Sequence, residues 1–353
     1  MDANVFLPAL TAVLAIVFFV MLVDQWRTRR RGYQAIWALG ILFFGVAVAC
    51  EAIAAAAGWN QPIYLLWYLT GAVWTAGWLG LGNAFLLGRT RFGFAFALCL
   101  FFAGLFTFLT ARADPAIYET ATTTAMLYFL VALVLALAVS VETYFQNWRW
   151  PWMAFVAVAG ATLLSIVLAL LADLPAPGYS LYPETGVPTA ELLPPELRLL
   201  TPFMNVTGAF ALILGAMFSA YVFMPKKRIL EYSIDPNQPG DQFLFNLLIA
   251  PVAIVVNFTA SLPGALKALF TGQINSRVPA TLLIAIGAFI PAVTDSLNRF
   301  GSTEWFQLGK LLSVLFLLAG FLVSTETFTE IRVPFTKIVL WGRRTEAREA
   351  TES

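Results

Sequence analysis

Residues 4–23 read NVFLPALTAVLAIVFFVMLV, twenty residues without a charged side chain. At a rise of about 1.5 Å per residue, a helix of this length covers about 30 Å, which is the thickness of the hydrocarbon core of a bilayer. Eight further apolar runs of similar length follow along the chain, at 34–57, 62–87, 92–110, 122–145, 151–172, 200–224, 279–297 and 305–325. This pattern predicts an all-α fold, a polytopic transmembrane helix bundle of about nine spans.

The composition of the 353-residue chain indicates the same class. Hydrophobic residues make up 60% of the sequence and charged residues only 12%, and the mean hydropathy is +0.79. A water-soluble domain needs roughly 25% charged residues to cover its surface. The chain is therefore expected to be an integral membrane protein. Its net charge of +1, with no basic patch interleaved with aromatic residues outside the loops, gives no reason to expect a nucleic-acid partner.

The sequence contains no histidine, so it has no imidazole for haem, zinc or acid–base catalysis. Its two cysteines, Cys50 and Cys99, lie in apolar stretches on different predicted spans, and we expect both to be small core residues. No metal site, cofactor or catalytic residue is predicted. We therefore expect the protein not to be an enzyme.

The segment 242–270, QFLFNLLIAPVAIVVNFTASLPGALKALF, is long enough to form a tenth span. Pro251 and Pro263 each remove a helical hydrogen bond and are expected to divide it into pieces too short to cross. With nine crossings, 17 of the 21 Lys and Arg residues lie on the cytoplasmic side, as the positive-inside rule favours. We therefore predict a re-entrant or interfacial hairpin that enters and leaves on the cytoplasmic side.

This topology divides the chain into four parts. They are a seven-span bundle at 1–228 with an external loop at 173–199, a cytoplasmic-side insertion at 229–278, a two-span hairpin at 279–326 and a cytoplasmic tail at 327–353. The first span lacks a small-residue cleavage site, so we expect it to be retained with its N-terminus outside. The predicted location is the inner membrane of the cell, in a multi-pass arrangement with a cytoplasmic C-terminus.

Three charged residues are predicted to lie in or at the edge of the spans. Glu51 lies in the second span, about 10 Å below its external end, where a charge costs roughly 2.5–3.5 kcal/mol on insertion scales unless it is neutralised or paired. Asp295 and Lys310 flank the connection between the last two spans, which must run antiparallel, so a salt bridge across this hairpin is expected. Two interpretations stay open. Either these groups are structural, or all three surround a polar cavity that binds a ligand or couples to an ion.

Trp67, Trp74 and Trp78 in the third span are seven and four residues apart, a spacing that places them on one face of an α-helix. Such a row of indoles fills gaps between packed helices. The alternative is a flat site for an aromatic lipid, a quinone or a carotenoid.

Four runs of this sequence resemble parts of bacterial polytopic inner-membrane proteins that are themselves uncharacterised. The runs are YQAIWALGILFFGVAVACEA (33–52), LLWYLTGAVWTAGWLGLGNAFLL (65–87), LTPFMNVTGAFALILGAMFSAYVFM (200–224) and LLIAIGAFIPAVTDSLNRFG (282–301). The resemblance implies a fold and no activity. Compared with such proteins, residues 229–275 look like an insertion on the cytoplasmic side.

These features leave three functional classes. The first is a non-enzymatic accessory subunit or receptor-like bundle that binds a lipid or hydrophobic ligand, with membrane lipids and a larger membrane complex or a second copy of the chain as partners. The second is a channel or secondary transporter that uses Glu51, Asp295 and Lys310 in a polar cavity. The third, a lipid-modifying enzyme, would have to build its acid chemistry from Glu51 or Asp295 without histidine.

Overall fold

The fold is that of a computed structural model, which describes residues 3–113, 115–183, 186–233, 240–271, 274–275, 277–299, 303–324, 330–332, 334–336 and 339–342. Helices make up most of these residues. They are α1 (Ala3–Arg29), α2 (Gly32–Ala57), α3 (Gln61–Trp67), a π-helix (Tyr68–Trp74), α4 (Thr75–Leu86), α5 (Phe92–Ala113), α6 (Pro115–Tyr144), α7 (Trp150–Leu171), α8 (Pro195–Phe223), α9 (Gly240–Phe270), α10 (Arg277–Arg299) and α11 (Thr303–Val323). Two short antiparallel strands follow, β1 (Glu330–Arg332) and β2 (Val339–Gly342).

The helices confirm the predicted transmembrane bundle. Within the described part of the chain, eight helices are long and apolar enough to cross a membrane, and Leu248–Phe270 of α9 is one of them. Two further predicted spans correspond to the helical run 61–86, which the π-helix interrupts, and to α10, whose apolar part is shorter. The nine predicted spans thus all fall on helices or on a continuous helical run.

Helix α8 lies centrally in the bundle and packs against α4, α5 and α10. The backbones of α4 and α8 meet at two small residues, since a Cβ atom added to Gly80 would lie 2.4 Å from the carbonyl oxygen of Gly208. Small residues permit this close approach of membrane helices. Asn83 reinforces the contact by donating from Nδ2 to the carbonyl oxygen of Leu212 at 3.0 Å.

Apolar side chains both fill the interior and cover the outside. Trp150, Tyr64 and Phe18 are among the largest fully buried side chains. On the outer surface, Leu170 and Val156 are 80% and 68% exposed. In a multi-span membrane protein such side chains face lipid, so their exposure in the isolated chain is expected.

The structure of α9 differs from the prediction that prolines divide the segment 242–270. The structure shows one helix of 31 residues with Pro251 and Pro263 inside it, so the predicted hairpin is wrong. Each proline removes one backbone donor and leaves the rest of the hydrogen-bond ladder in place, and helices in membrane proteins tolerate such losses.

The C-terminal part of α9 lies near the end of α8 and the start of α10, since Ala265 packs in one cluster with Tyr221 and Val278. The guanidinium of Arg277, at the start of α10, lies 4.4 Å from the ring centroid of Phe223, at the end of α8. Six residues connect α9 to α10, and at about 3.5 Å each they reach about 20 Å, which is less than the hydrocarbon thickness. The end of α9 therefore lies beside the same end of the bundle as the end of α8 and the start of α10. We call this the basic end, because α8 is followed there by Lys226, Lys227 and Arg228.

Candidate functional site

A buried ion pair joins α2 to α11. The Nζ atom of Lys310 lies 2.5 and 2.6 Å from the two carboxylate oxygens of Glu51, and the two side chains are 11% and 9% exposed. Gln307 donates from Nε2 to Glu51 at 3.0 Å, and Trp67 donates from Nε1 at 2.7 Å. We call these four residues the Glu51 cluster. The three donors, one of them cationic, offset the cost of holding the carboxylate among packed helices.

Helix geometry explains how two of the donors reach the carboxylate. Gln307 and Lys310 are three residues apart on α11, so they lie on the same helix face. Lys310 also lies over the ring of Phe306, with Nζ 3.8 Å from the ring centroid, which adds a cation–π contact to the ion pair. The ammonium group is therefore contacted by an anion and by an aromatic ring.

The structure brings together two of the three charged residues predicted for this site. Glu51 and Lys310 are in direct contact, whereas the side chain of Asp295 on α10 lies outside the described residues. The salt bridge expected between Asp295 and Lys310 thus stays a prediction. Gln307 was missed, although its signal was present: it is a polar residue in an apolar run, one helical turn before Lys310.

The three tryptophans do not all face one neighbour. Trp67 donates to Glu51 on α2, whereas Trp74 donates to Ser165 at 2.8 Å and Trp78 to Thr162 at 3.1 Å, both on α7. The π-helix Tyr68–Trp74 lies between Trp67 and Trp74, and its i→i+5 hydrogen bonds place more residues in each turn. Seven residues then no longer complete two full turns, so the predicted single face is wrong for Trp67. All three indole N–H groups bond within the bundle.

The bond from Trp74 to Ser165 gives a testable prediction. Trp74→Phe should lower the free energy of unfolding by about 0.6–1.7 kcal/mol, the range measured for hydrogen bonds between membrane helices. Thermal unfolding in detergent would measure it, in a double-mutant cycle with Ser165→Ala. Trp152→Phe is the matched control, because Trp152 is 62% exposed. A zero coupling between Trp74 and Ser165 would contradict the proposed bond.

A cavity of about 840 Å³ opens at the basic end of the bundle. Phe218, Tyr221 and Val222 of α8 form part of its wall, and charged side chains line it as well, namely Arg91, Lys226, Arg228 and Glu231. Tyr232 also lines it, and burial raises the pKa of its phenol above the ordinary value, so this side chain is neutral at physiological pH. The cavity thus combines an apolar wall with a mostly basic rim.

The described residues include no group of three or more His, Cys, Asp or Glu side chains that could hold a metal ion. Cys50 and Cys99 are both free thiols and both buried. They lie 4% and 1% exposed among apolar side chains, which matches the core role predicted for them.

No protein-family model matches this chain, and neither a curated protein nor a solved structure matches it.

Proposed function

We propose that this multi-span membrane protein is a non-enzymatic accessory subunit or receptor-like bundle that binds a lipid or another amphiphilic ligand. The observation that carries the proposal is the cavity at the basic end, where the apolar wall of Phe218 and Val222 adjoins the charged rim of Lys226 and Arg228. Small-molecule sites combine an apolar surface with polar groups that orient the ligand, and in this cavity the polar and charged groups are the larger part of the lining. An amphiphile likewise has an apolar part and a charged or polar part, so it matches the two parts of the cavity.

The Glu51 cluster supports a structural role for the charges at membrane depth. A carboxylate that couples transport must exchange a proton or ion with water. The Glu51 side chain is only 9% exposed, and its two oxygens already accept from Lys310, Gln307 and Trp67. Such an arrangement joins α2, α3 and α11 without leaving the carboxylate open to an ion.

A second candidate function, a channel or secondary transporter, is favoured by two observations. The Oε1 atom of Gln307 is buried without a hydrogen-bond partner, and a π-helix, a feature frequent at functional sites, begins directly after Trp67. An unpaired buried oxygen beside an ion pair could accept from a passing water or hydrated ion. On this alternative, Glu51 would lie on the transport path.

The substitution Glu51→Gln distinguishes the two functions. For the lipid-binding protein we expect the wild type, purified in mild detergent, to retain lipid, and Glu51→Gln to retain the same amount while unfolding at a lower temperature. Lipid extraction with mass spectrometry and thermal unfolding would measure these quantities. Ion flux in wild-type proteoliposomes that Glu51→Gln abolishes, together with no retained lipid, would overturn the proposal in favour of transport.

A further inference from the structure

The cavity at the basic end has two chemically different parts. Phe218, Tyr221 and Val222 belong to the last two turns of α8, which ends at Phe223. At 1.5 Å per residue, Phe218 lies about 8 Å inside the helix end. Lys226 and Arg228 lie beyond that end, in the chain that leaves the helix. Apolar side chains of α8 therefore line one part of the cavity, and two cations beyond the end of α8 line another.

The charges that line the cavity favour an anion. Arg91, Lys226 and Arg228 contribute three positive charges and Glu231 one negative charge, so the charged lining residues carry a net charge of +2. Lys226 is held 5.6 Å from the ring centroid of Tyr221, a cation–π contact that places its ammonium over the apolar wall. Arginine forks and a lysine point charge are the side chains that bind phosphate.

Helix α9 packs on the chain that follows α8, next to this cavity. One side of α9 is small and polar and packs on the chain after α8: Asn257 donates from Nδ2 to Leu230 at 2.7 Å, and its Oδ1 accepts from the amide of Ile229 at 2.7 Å. Ser261 accepts from the amide of Lys227 at 2.9 Å. The middle of α9 is therefore fixed beside a charged segment, and Phe258 of α9 also contacts Tyr221 in the last turn of α8.

The opposite side of α9 is apolar and exposed. Leu248, Val252 and Val255 follow each other at helical spacing and are 79%, 60% and 60% exposed. Helices that lie in the membrane interface bury such an apolar side in the acyl region, and α9 has its other side on a charged stretch of chain. Asn246 of α9 lines the cavity, so the cavity lies directly beside this helix.

From this geometry we propose that the cavity binds the phosphate headgroup of an anionic lipid, with Lys226 and Arg228 on the phosphate and an acyl chain against Phe218 and Val222. Helix α9 lies in the membrane interface beside the bound lipid. Basic pockets between membrane helices bind anionic headgroups in this way. The proposal rests on the proposed lipid-binding function and names the class of lipid.

The test uses the full-length protein in detergent, titrated with short-chain phosphatidylglycerol, with phosphatidylcholine and with inorganic phosphate. Binding is measured by native mass spectrometry or tryptophan fluorescence. We expect phosphatidylglycerol to bind more tightly than phosphatidylcholine, and the double variant Lys226→Gln, Arg228→Gln to weaken it roughly 30-fold, at about fivefold per base. Both bases are exposed, so the variant should keep the wild-type unfolding temperature.

The matched control is the double variant Arg89→Gln, Lys267→Gln, which removes two exposed bases from the same end that do not line the cavity. We expect it to bind phosphatidylglycerol as the wild type does. If both double variants lose the same affinity for phosphatidylglycerol, the cause is the general surface charge and not the cavity. That result would overturn the proposal. Binding of inorganic phosphate that depends on Lys226 and Arg228, without lipid binding, would also overturn it, because the site would then serve a soluble anion.

The two proposals fail in different ways. If the wild type retains no lipid of any kind, the proposed function fails. If the wild type retains lipid but shows no preference for the anionic headgroup, or if the retained amount is unchanged by Lys226→Gln, Arg228→Gln, only the anionic-lipid site fails.

Discussion

Replacing Lys310 with methionine should lower the free energy of unfolding by about 3–5 kcal/mol, the cost of removing one partner from a buried ion pair. Methionine has a similar length and keeps the apolar contacts of the lysine stem, so the main loss is the ammonium group. The Glu51 carboxylate would then stay buried with hydrogen bonds only from Gln307 and Trp67. Thermal unfolding in detergent, against wild type, would measure the loss.

A second substitution should recover most of this stability. In the double variant Glu51→Gln, Lys310→Met no buried charge remains, and the side-chain oxygen of the new glutamine can still accept from Trp67. We therefore expect the double variant to lie within about 1–2 kcal/mol of wild type, since only interhelical hydrogen bonds have changed. Glu51→Gln alone should cost more than the double variant, because it leaves the Lys310 ammonium unpaired.

The control for this cycle is Lys267→Met, because Lys267 is exposed on α9 and should tolerate the change. Additive effects of the substitutions at Glu51 and Lys310 would show that the two residues do not interact in the folded protein. The ion pair of the structure would then be contradicted.

The fold could be predicted from the sequence because lipid imposes simple rules. A span must be apolar over about 20 residues and must satisfy its own backbone, so apolar runs such as 34–57 and 151–172 mark helices directly. The same local reasoning was wrong for 242–270, where Pro251 and Pro263 do not interrupt α9. Contacts of Asn257 and Ser261 with the chain after α8 hold this helix, and such contacts between distant residues leave no local pattern.

The sequence identifies individual residues of the site, but it does not predict which of them contact each other. Glu51 and Lys310 stand out because charges are costly in lipid, yet hydropathy does not say which helices are neighbours. The nearest acid in sequence to Lys310 on the adjoining span is Asp295, and the amine contacts Glu51, 259 positions away. Trp67 was misplaced for a different reason: the sequence gives no signal for the π-helix that turns it away from Trp74.

The second large loss of stability is expected for a substitution at Gly208, where α4 and α8 are in close contact. An alanine at position 208 would place its Cβ atom 2.1 Å from the carbonyl oxygen of Ala76 and 2.5 Å from the amide nitrogen of Gly77. Both are backbone atoms, so no side-chain rotation relieves the clash and the helices must separate. Overpacking of this kind costs up to about 3 kcal/mol. We therefore expect Gly208→Ala to lower the free energy of unfolding by about 2–3 kcal/mol.

A second glycine provides the control for Gly208→Ala, because replacing it by alanine tests the general effect of losing a glycine without a clash. A Cβ atom on Gly160 of α7 would have no neighbour within 4 Å, so Gly160→Ala should be neutral or stabilise by up to about 1 kcal/mol through helix propensity. Separation of α4 and α8 would also stretch the bond from Asn83 to Leu212, which is 3.0 Å long. Asn83→Leu should therefore cost less in the Gly208→Ala background than in wild type. Equal costs in both backgrounds, measured by thermal unfolding, would show that the helices do not separate and that the loss has another cause.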